Sequence, residues 1–385
     1  MMNSISIIVK PVLSCNIDCK HCYHTRDERS GGEGTTRNER SSAIMSSEIL
    51  EKVIRCASEY ETVWFIWHGG EPLTVPLNFY KNVIKLQEKY FGKDSHRISN
   101  TIQTNGILID KKLMNFCEEN KINVGVSFEG PCNNVLREKG ELVQKNLDMM
   151  KKEGHMFSVS STICKDTVKQ QSALYDHFIG NGMALSLSPV ICLGSATPDM
   201  IPDPDDHASV NIELFDKWLN DTNATVPLMP HMMYLLSALG EPTPADCAHS
   251  SCITKWISIY PNGDVYPCAK GCPSEFKLCN ISDTERISDA FLSENLKKLL
   301  IPTIERREKC RSECSIFEYC NGGCSIDALS EGSMENNNGN SCKIFRKLFT
   351  HILATTERIL KERPDLSQYN KFAREALIGK LMRPE

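Results

Sequence analysis

Short β-like apolar runs alternate with longer amphipathic stretches through the first half of the chain. The runs are Ser4–Val12, Val63–Trp67, Ile98–Thr104, Asn123–Phe128, Phe157–Ile163 and Ala184–Val190. Between them, Ser47–Tyr60, Leu77–Phe91, Lys111–Asn120, Glu141–Glu153 and Asp166–Ile179 place apolar residues mostly three or four apart, the spacing of one helix face. Strict alternation of strand and helix predicts βαβ units on a parallel sheet. Six units are two short of the eight-fold barrel, so the predicted core is α/β, an open six-unit barrel with its chemistry at the C-terminal strand ends. The polar interruption from His24 to Ser42 reads either as a lid or as disorder. Residues 193–206, with three prolines, read as a linker, and a helix over His207–Trp218 leads from it into a cysteine-rich module. From about Phe345 the chain is again helical and charged.

A length of 385 residues leaves room for such a core and a second module. With 44 Lys+Arg against 49 Asp+Glu, the net charge of −5 provides no basic field for nucleic acid or anionic lipid. The apolar run Ile5–Val9 is short and ends at Lys10, which does not read as a signal peptide, and no stretch approaches the roughly 18 apolar residues of a spanning helix. The 18 cysteines are therefore expected as thiols of a soluble, cytoplasmic protein and not as a disulfide framework.

The residues that carry chemistry follow the strands. Cys15, Cys19 and Cys22 form a C-x3-C-x2-C triplet after the first run; Gly69–Pro72, Gln103–Gly106 and Ser127–Pro131 follow the second, third and fourth. Three thiolates on one loop hold three corners of a cubane iron–sulfur cluster. Such clusters are usually closed by four cysteines, so one iron stays open to a small molecule. Between Cys247 and Cys342 lie ten more cysteines, eight of which fit two four-cysteine sites. The turn Pro261-Asn262-Gly263-Asp264 predicts a hairpin that brings Cys252 and Cys268 to one site. For this module alone, structural zinc is the alternative.

Together these residues resemble the radical S-adenosylmethionine (SAM) enzymes that carry a SPASM extension, over roughly residues 5–345. The likeness lies in Cys15-x3-Cys19-x2-Cys22-Tyr23, Trp67-His68-Gly69-Gly70-Glu71-Pro72-Leu73, Gln103-Thr104-Asn105-Gly106, Val126–Pro131 and the late cysteines. It implies a radical SAM core over 1–195 built as a partial (β/α)6 TIM barrel, a helical linker over 196–245, a SPASM domain over 246–345 and a C-terminal helical tail over 346–385. It also implies three [4Fe–4S] clusters and SAM. In this family SAM chelates the open iron, and an electron from the cluster cleaves it to methionine and a 5′-deoxyadenosyl radical that abstracts a substrate hydrogen.

By the same resemblance Cys15, Cys19 and Cys22 hold the SAM-binding cluster, Cys247, Cys252, Cys268 and Cys324 a first auxiliary cluster, and Cys310, Cys314, Cys320 and Cys342 a second. Gly69, Gly70, Glu71 and Pro72 bind the SAM amino group, the bare glycines permitting close backbone approach and Glu71 supplying a carboxylate. Ser127 contacts SAM. Arg137 is either a partner of the SAM carboxylate or a solvated helix arginine. Tyr23 and Trp67 shield the cluster from water, Gln103 contacts the peptide backbone of a substrate, and His68 either lines the barrel mouth or is a structural histidine. Cys56, Cys117, Cys164 and Cys192 read as small buried hydrophobes, while Cys132, Cys272 and Cys279 are unassigned.

Within this group the chain is most similar to anaerobic sulfatase-maturating enzymes and peptide-cyclising maturases, with three departures. Cys310-x3-Cys314 replaces C-x2-C, and Ser127-Phe128-Glu129-Gly130 replaces Ser-Leu-Asp-Gly. Ala269 follows Cys268 where sulfatase-maturating enzymes carry an aspartate that takes the substrate proton, and an alanine cannot act as a base. The expected function is oxidative C–C or thioether cross-linking of a ribosomally made peptide. Formylglycine formation, epimerisation and small-molecule dehydrogenation are alternatives, and a zinc-holding scaffold is the alternative from another class. Expected partners are the peptide or protein substrate and an electron donor such as flavodoxin or ferredoxin; because the first strand begins next to Met1, substrate recognition is expected to use the barrel mouth, the 24–42 loop, the C-terminal helices or a separate leader-recognition protein.

Overall fold

The structure is a computed structural model that describes residues 2–24, 43–93, 96–241, 247–249, 252–270, 274–335 and 337–382. The interruption after His24 (25–42) and Cys272 lie outside the described residues. All six expected strands form: β1 (Met2–Val9), β2 (Tyr60–Trp67), β3 (Ile98–Thr104), β4 (Ile122–Ser127), β5 (Ser158–Ile163) and β6 (Ala184–Pro189). They pair in parallel in chain order. Helices α1 (Ser47–Ala57), α2 (Leu77–Phe91), α3 (Lys111–Glu119), α4 (Gly140–Lys152) and α5 (Gln171–Ile179) connect them. Side chains cap several at the start: Ser46 accepts from the Ile49 N–H, and Asp110 from the Leu113 N–H.

The sheet is longer than six strands. A two-residue strand, β7 (Leu228–Met229), adds in parallel beside β6. On the other edge β8 (Trp256–Ile259) adds in parallel beside β1, and the expected hairpin turns from it into antiparallel β9 (Asp264–Tyr266), followed by β10 (Cys279–Asn280). The order is β10-β9-β8-β1-β2-β3-β4-β5-β6-β7, an open α/β sheet. Registry brings Val9 opposite Trp67, Trp67 opposite Ile102 and Gln103 opposite Gly125, so the C-terminal ends of β1 to β4 come level. The loops that follow them gather at one rim.

Residues 193–206 do not behave as a free linker. Ser195 N–H donates to Cys22 O at 2.8 Å, and a Cβ on Gly194 (φ +62°) would stand 2.4 Å from the Tyr23 carbonyl carbon. This segment lies on the cysteine loop, and only a glycine allows that approach. Helix α6 (Pro204–Asn220) then starts on an Asp203 cap and packs against α10 (Asn340–Glu362), between which lie α7 (His231–Ala238), α8 (Glu294–Glu313) and the short α9 (Ser325–Ser330). A final helix, α11 (Lys371–Leu381), closes the chain. No helix among the described residues is long and apolar enough to cross a membrane.

Trp67 belongs to this packing and not to the site. Fully buried, its ring packs against Phe65, Phe79 and Tyr80, and its Nε1–H donates to Asn100 Oδ1 at 3.0 Å. Its neighbours on α2 place it on the helix-covered face of the sheet. The shielding role expected of Trp67 is therefore corrected, because side chains alternate along β2 and His68, the next residue, faces Tyr23 instead.

Candidate functional site

The first cysteine loop is clamped by the turn after β2. Gly70 N–H donates to Val12 O at 3.0 Å, Glu71 N–H to Ser14 O at 2.9 Å and His68 N–H to Val9 O at 2.9 Å. A Cβ on Gly70 would stand 2.1 Å from Ser14 O and 2.2 Å from Leu13 O; one on Gly69 would stand 2.3 Å from Val12 O. Both glycines are thus required by the approach of their backbone to the cysteine loop itself, a reason distinct from the cofactor contact expected of them.

Glu71 is 1% exposed and its carboxylate already holds protein. Oε1 accepts from Thr104 Oγ1 at 2.7 Å and from Leu73 N–H at 2.9 Å, while Oε2 accepts from Asn105 N–H at 2.8 Å. Burial raises its pKa and these three hydrogen bonds oppose the rise. Pro72 continues the turn, its carbonyl accepting from Tyr80 OH at 2.9 Å. Through Glu71 the second loop orders the third. Asn105, in turn, donates from Nδ2 to Asn16 Oδ1 at 2.7 Å and approaches Cys15 Sγ at 3.8 Å.

On the other flank Glu129 and Arg137 form a buried pair. Arg137 Nε lies 3.0 and 2.8 Å from the two Glu129 oxygens, Nη1 lies 3.7 Å from Cys19 Sγ, and Nη2 lies 3.3 Å from His21 Nε2. Thr162 N–H completes the hold on Glu129 at 3.2 Å. The solvated arginine allowed by sequence is corrected: Arg137 ends a single helical turn, Asn133–Leu136, and folds inward onto Glu129, whose side chain is fully buried. The longer acidic side chain in Ser127-Phe128-Glu129-Gly130 is what reaches it. Burial pushes the Cys19 thiol up to about 12, with Arg137 opposing, and lowers His21 to about 3, with the Arg137 charge acting in the same direction.

At the rim, Tyr23 OH and His68 Nδ1 are 3.2 Å apart, and Gly69 N–H donates to the same nitrogen at 2.8 Å, which assigns Nδ1 as an acceptor. Burial, then the Lys10 charge, lowers His68 to about 3. Gln103 lies across Gly125 and donates from Nε2 to Ser127 Oγ at 2.9 Å. Lys10, fully buried, directs Nζ to His24 Nε2 at 3.0 Å and to Ala269 O at 3.0 Å, 4.2 Å from the Tyr260 ring centre. Sequence reasoning passed over Lys10 and His24 as site residues and placed Asn105 only within the Gln103–Gly106 motif. A lysine at the end of an otherwise apolar central strand was the available signal for the first.

The late cysteines separate into two groups. Around Lys270 stand Cys247, Cys268 and Cys324, each acting electrostatically on its ammonium, with Cys252 coupled to Cys268. Lys270 N–H lies 3.5 Å from Cys268 Sγ, Asp327 N–H 3.5 Å from Cys324 Sγ, and Lys270 Nζ 2.8 Å from Asp327 Oδ1. Cys310 at the end of α8, Cys314, Cys320 and Cys342 in the first turn of α10 are coupled to one another in the second group. Arg346 Nη2 stands 3.4 Å from Cys342 Sγ. Burial pushes Cys252 up to about 11 and Cys320 to about 12.

The remaining cysteines lie elsewhere. Cys56, Cys117 and Cys164 are buried, whereas Cys192 is only half-buried beside the Ala196 carbonyl, so its expected burial is corrected. Cys132 contacts Gln170, and Cys279 sits in β10 near Asp283.

Whether the donor set fits iron–sulfur clusters can be judged from these residues. Every described cysteine stands outside any disulfide, and donors approach the sulfurs of Cys15, Cys19, Cys268, Cys324 and Cys342, as suits thiolates that ligate iron. Among the described residues no three His, Cys, Asp or Glu groups are close enough to hold one metal ion. A single tetrahedral zinc draws its sulfurs to about 2.3 Å, whereas a cubane spreads them over separate irons. The thiols and the donors at their sulfurs fit iron–sulfur ligation.

Comparison with known proteins agrees. Residues 9–164 match the Radical SAM superfamily, so this part of the chain is a radical SAM domain. The chain is 26% identical over 370 residues to the cysteine-type anaerobic sulfatase-maturating enzyme of Clostridium perfringens (strain 13 / Type A), covering 91% of this chain and 96% of that protein. To the serine-type anaerobic sulfatase-maturating enzyme of Bacteroides thetaiotaomicron it is 27% identical over 394 residues, 92% of this chain and 91% of the relative. The solved structure of native anSMEcpe with bound AdoMet and Kp18Cys peptide superposes with a TM-score of 0.75 at 22% identity, covering 93% of this chain and 99% of that one, a likeness of fold.

Proposed function

We propose, from the premise that this chain is a radical SAM enzyme, that it is a peptide maturase holding three [4Fe–4S] clusters, one at Cys15, Cys19 and Cys22 and two auxiliary. The observation that carries the reading is the meeting of the first cysteine loop, the Gly69–Gly70 turn and the Lys270 cysteine group at one rim, joined through Lys10 and Ala269. The relatives named as sulfatase-maturating enzymes, and the solved one with AdoMet and a peptide, support a peptide as the substrate class.

When bound, the first cluster with SAM supplies a 5′-deoxyadenosyl radical that removes a substrate hydrogen. The chain's residues prepare the site for it. Gly69 and Gly70 keep the cysteine loop and the SAM-binding turn in contact, and Glu71 fixes the turn against Asn105. Arg137 offsets the negative charge of Cys19. Tyr23 and His68 close the rim beside the loop, Ser127 with Gln103 forms a polar edge for SAM and peptide, and a protein fold of this kind orients substrate while the cofactor does the hard chemistry.

Ala269 bears on the product. The residue after Cys268 has no carboxylate, and its carbonyl oxygen accepts from Lys10, so position 269 itself supplies no proton acceptor for a formylglycine-forming reaction. The favoured reaction is an oxidative C–C or thioether cross-link in the peptide. The relatives' names favour sulfatase-type formylglycine formation as the second reading.

Anaerobic reconstitution tests the proposal. About twelve irons per chain, by the stoichiometry of three four-iron clusters, with reductive release of 5′-deoxyadenosine, is expected. On a candidate peptide, loss of two hydrogens without an aldehyde indicates a cross-link; a product that reacts with a hydrazide probe indicates formylglycine. Four-coordinate zinc with no SAM cleavage overturns the reading.

A further inference from the structure

The Lys270–Asp327 pair has no part in the chemistry described above, yet it stands inside a cluster-binding group. Lys270 is two residues beyond Cys268 and Asp327 three beyond Cys324, so the chain delivers the two charges on the same segments that deliver two of the sulfurs. Nζ and Oδ1 are 2.8 Å apart. The Asp327 side chain is 8% exposed, whereas that of Lys270 keeps 30% of its surface open. The ammonium acts on Cys247, Cys268 and Cys324, and the carboxylate is the largest charge acting on Cys324.

We infer that Lys270 and Asp327 are a fixed, opposed charge pair that sets the reduction potential of the auxiliary cluster held by Cys247, Cys252, Cys268 and Cys324, an inference that rests on the ligand set proposed above. Cluster potentials respond to net charge, to hydrogen bonds on the sulfurs and to solvent exposure. Reduction adds one electron to the cluster. A nearby cation favours the reduced form and raises the potential, and a nearby carboxylate lowers it. The backbone N–H groups of Lys270 and Asp327, each 3.5 Å from a ligand sulfur, also favour reduction, but they belong to the main chain and survive side-chain replacement. The two side chains are therefore separable levers of opposite sign on one cluster. The second group has its own neighbouring charges: Arg306 beside Cys310, and Arg346 and Glu331 beside Cys342.

The test uses full-length protein with Cys15, Cys19 and Cys22 replaced by alanine, so that only auxiliary signals remain, reconstituted anaerobically and titrated with EPR detection. Lys270→Met shifts one midpoint to more negative values and Asp327→Asn shifts the same midpoint to more positive ones. A tenfold change in the one-electron equilibrium corresponds to about 59 mV. The double replacement returns the midpoint towards the starting value, Lys270→Arg holds it, and the other auxiliary midpoint stays in place throughout. Two unmoved midpoints in variants that retain about eight irons overturn the inference while leaving the cluster assignment standing. A parent protein that binds only about four irons removes the assignment and the inference together.

Discussion

Lys10 Nζ donates to the carbonyl oxygen of Ala269 across 3.0 Å, tying the end of the central strand to the residue that follows Cys268. The same ammonium reaches His24, two residues past Cys22. One side chain therefore holds the first cysteine loop against the auxiliary group. Replacing Lys10 with methionine keeps the apolar stem and removes both bonds. The expected outcome is uncoupling: iron content is retained, 5′-deoxyadenosine still forms, and the ratio of modified peptide to 5′-deoxyadenosine falls several-fold. Product and 5′-deoxyadenosine measured in the same reaction give that ratio, and an unchanged value removes the positioning role.

Gly70→Ala tests the clamp. The new Cβ would meet Ser14 O at 2.1 Å and Leu13 O at 2.2 Å, both backbone atoms of the cysteine loop. Since backbone cannot rotate away as a side chain can, the loop shifts. Reductive SAM cleavage is expected to fall at least about tenfold, a change of about 1.4 kcal/mol in barrier, with far-ultraviolet circular dichroism unaltered. Gly154→Ala, at a glycine with open space around it but a φ of +81°, controls for backbone strain alone and leaves cleavage unchanged.

The Glu129–Arg137 pair is a buried ion pair, so breaking it from one side is costly. Arg137→Met leaves the Glu129 carboxylate, fully buried, without its cation. About 3–5 kcal/mol of stability is expected to be lost. Denaturant unfolding of Arg137→Met, Glu129→Met and the double variant checks this; the double variant recovers most of the loss, because no uncompensated charge remains.

Two histidines outside the site predict acid sensitivity. Burial lowers His207 and His231 to about 4, and His231 keeps its place through a hydrogen bond between Nε2 and Asn211 O at 3.1 Å. The unfolded chain binds these protons near 6.5, above the folded value, so stability present at neutral pH is lost as pH falls from about 6.5 towards 4. Each residue contributes up to about 3 kcal/mol to that loss, at about 1.36 kcal/mol per pH unit. Unfolding midpoints at pH 7.5 and pH 5 for the parent and for His231→Gln measure it: the variant has the shallower dependence.

Much of the barrel was legible in the sequence because its signals are local. A parallel strand buried on both faces reads as an apolar run and its helix as a 3.6-residue period, and β3 and α2 fall on the residues read for them. Strand ends were less legible. Ser4–Val12 extended three residues too far, since Pro11 has no N–H to continue the ladder. The linker over 193–206 failed for a different reason: Pro and Asp mark turns, but nothing in composition says that Gly194 lies on the backbone of Cys22 and Tyr23.

The cysteine spacing alone pointed to thiolate-ligated cluster chemistry, because three sulfurs within eight residues can converge whatever the rest of the chain does. Likewise Ala269 excluded a carboxylate at its position on composition alone. Only the tertiary structure decided which charges answer the sulfurs. Arg137 reaches Cys19 from 118 positions away, and Lys10 reaches Ala269 from 259. Such pairings depend on which strand lies beside which: Lys10 meets Ala269 once β8 has been laid against β1, and Arg137 meets Cys19 once β1 to β4 have been laid side by side.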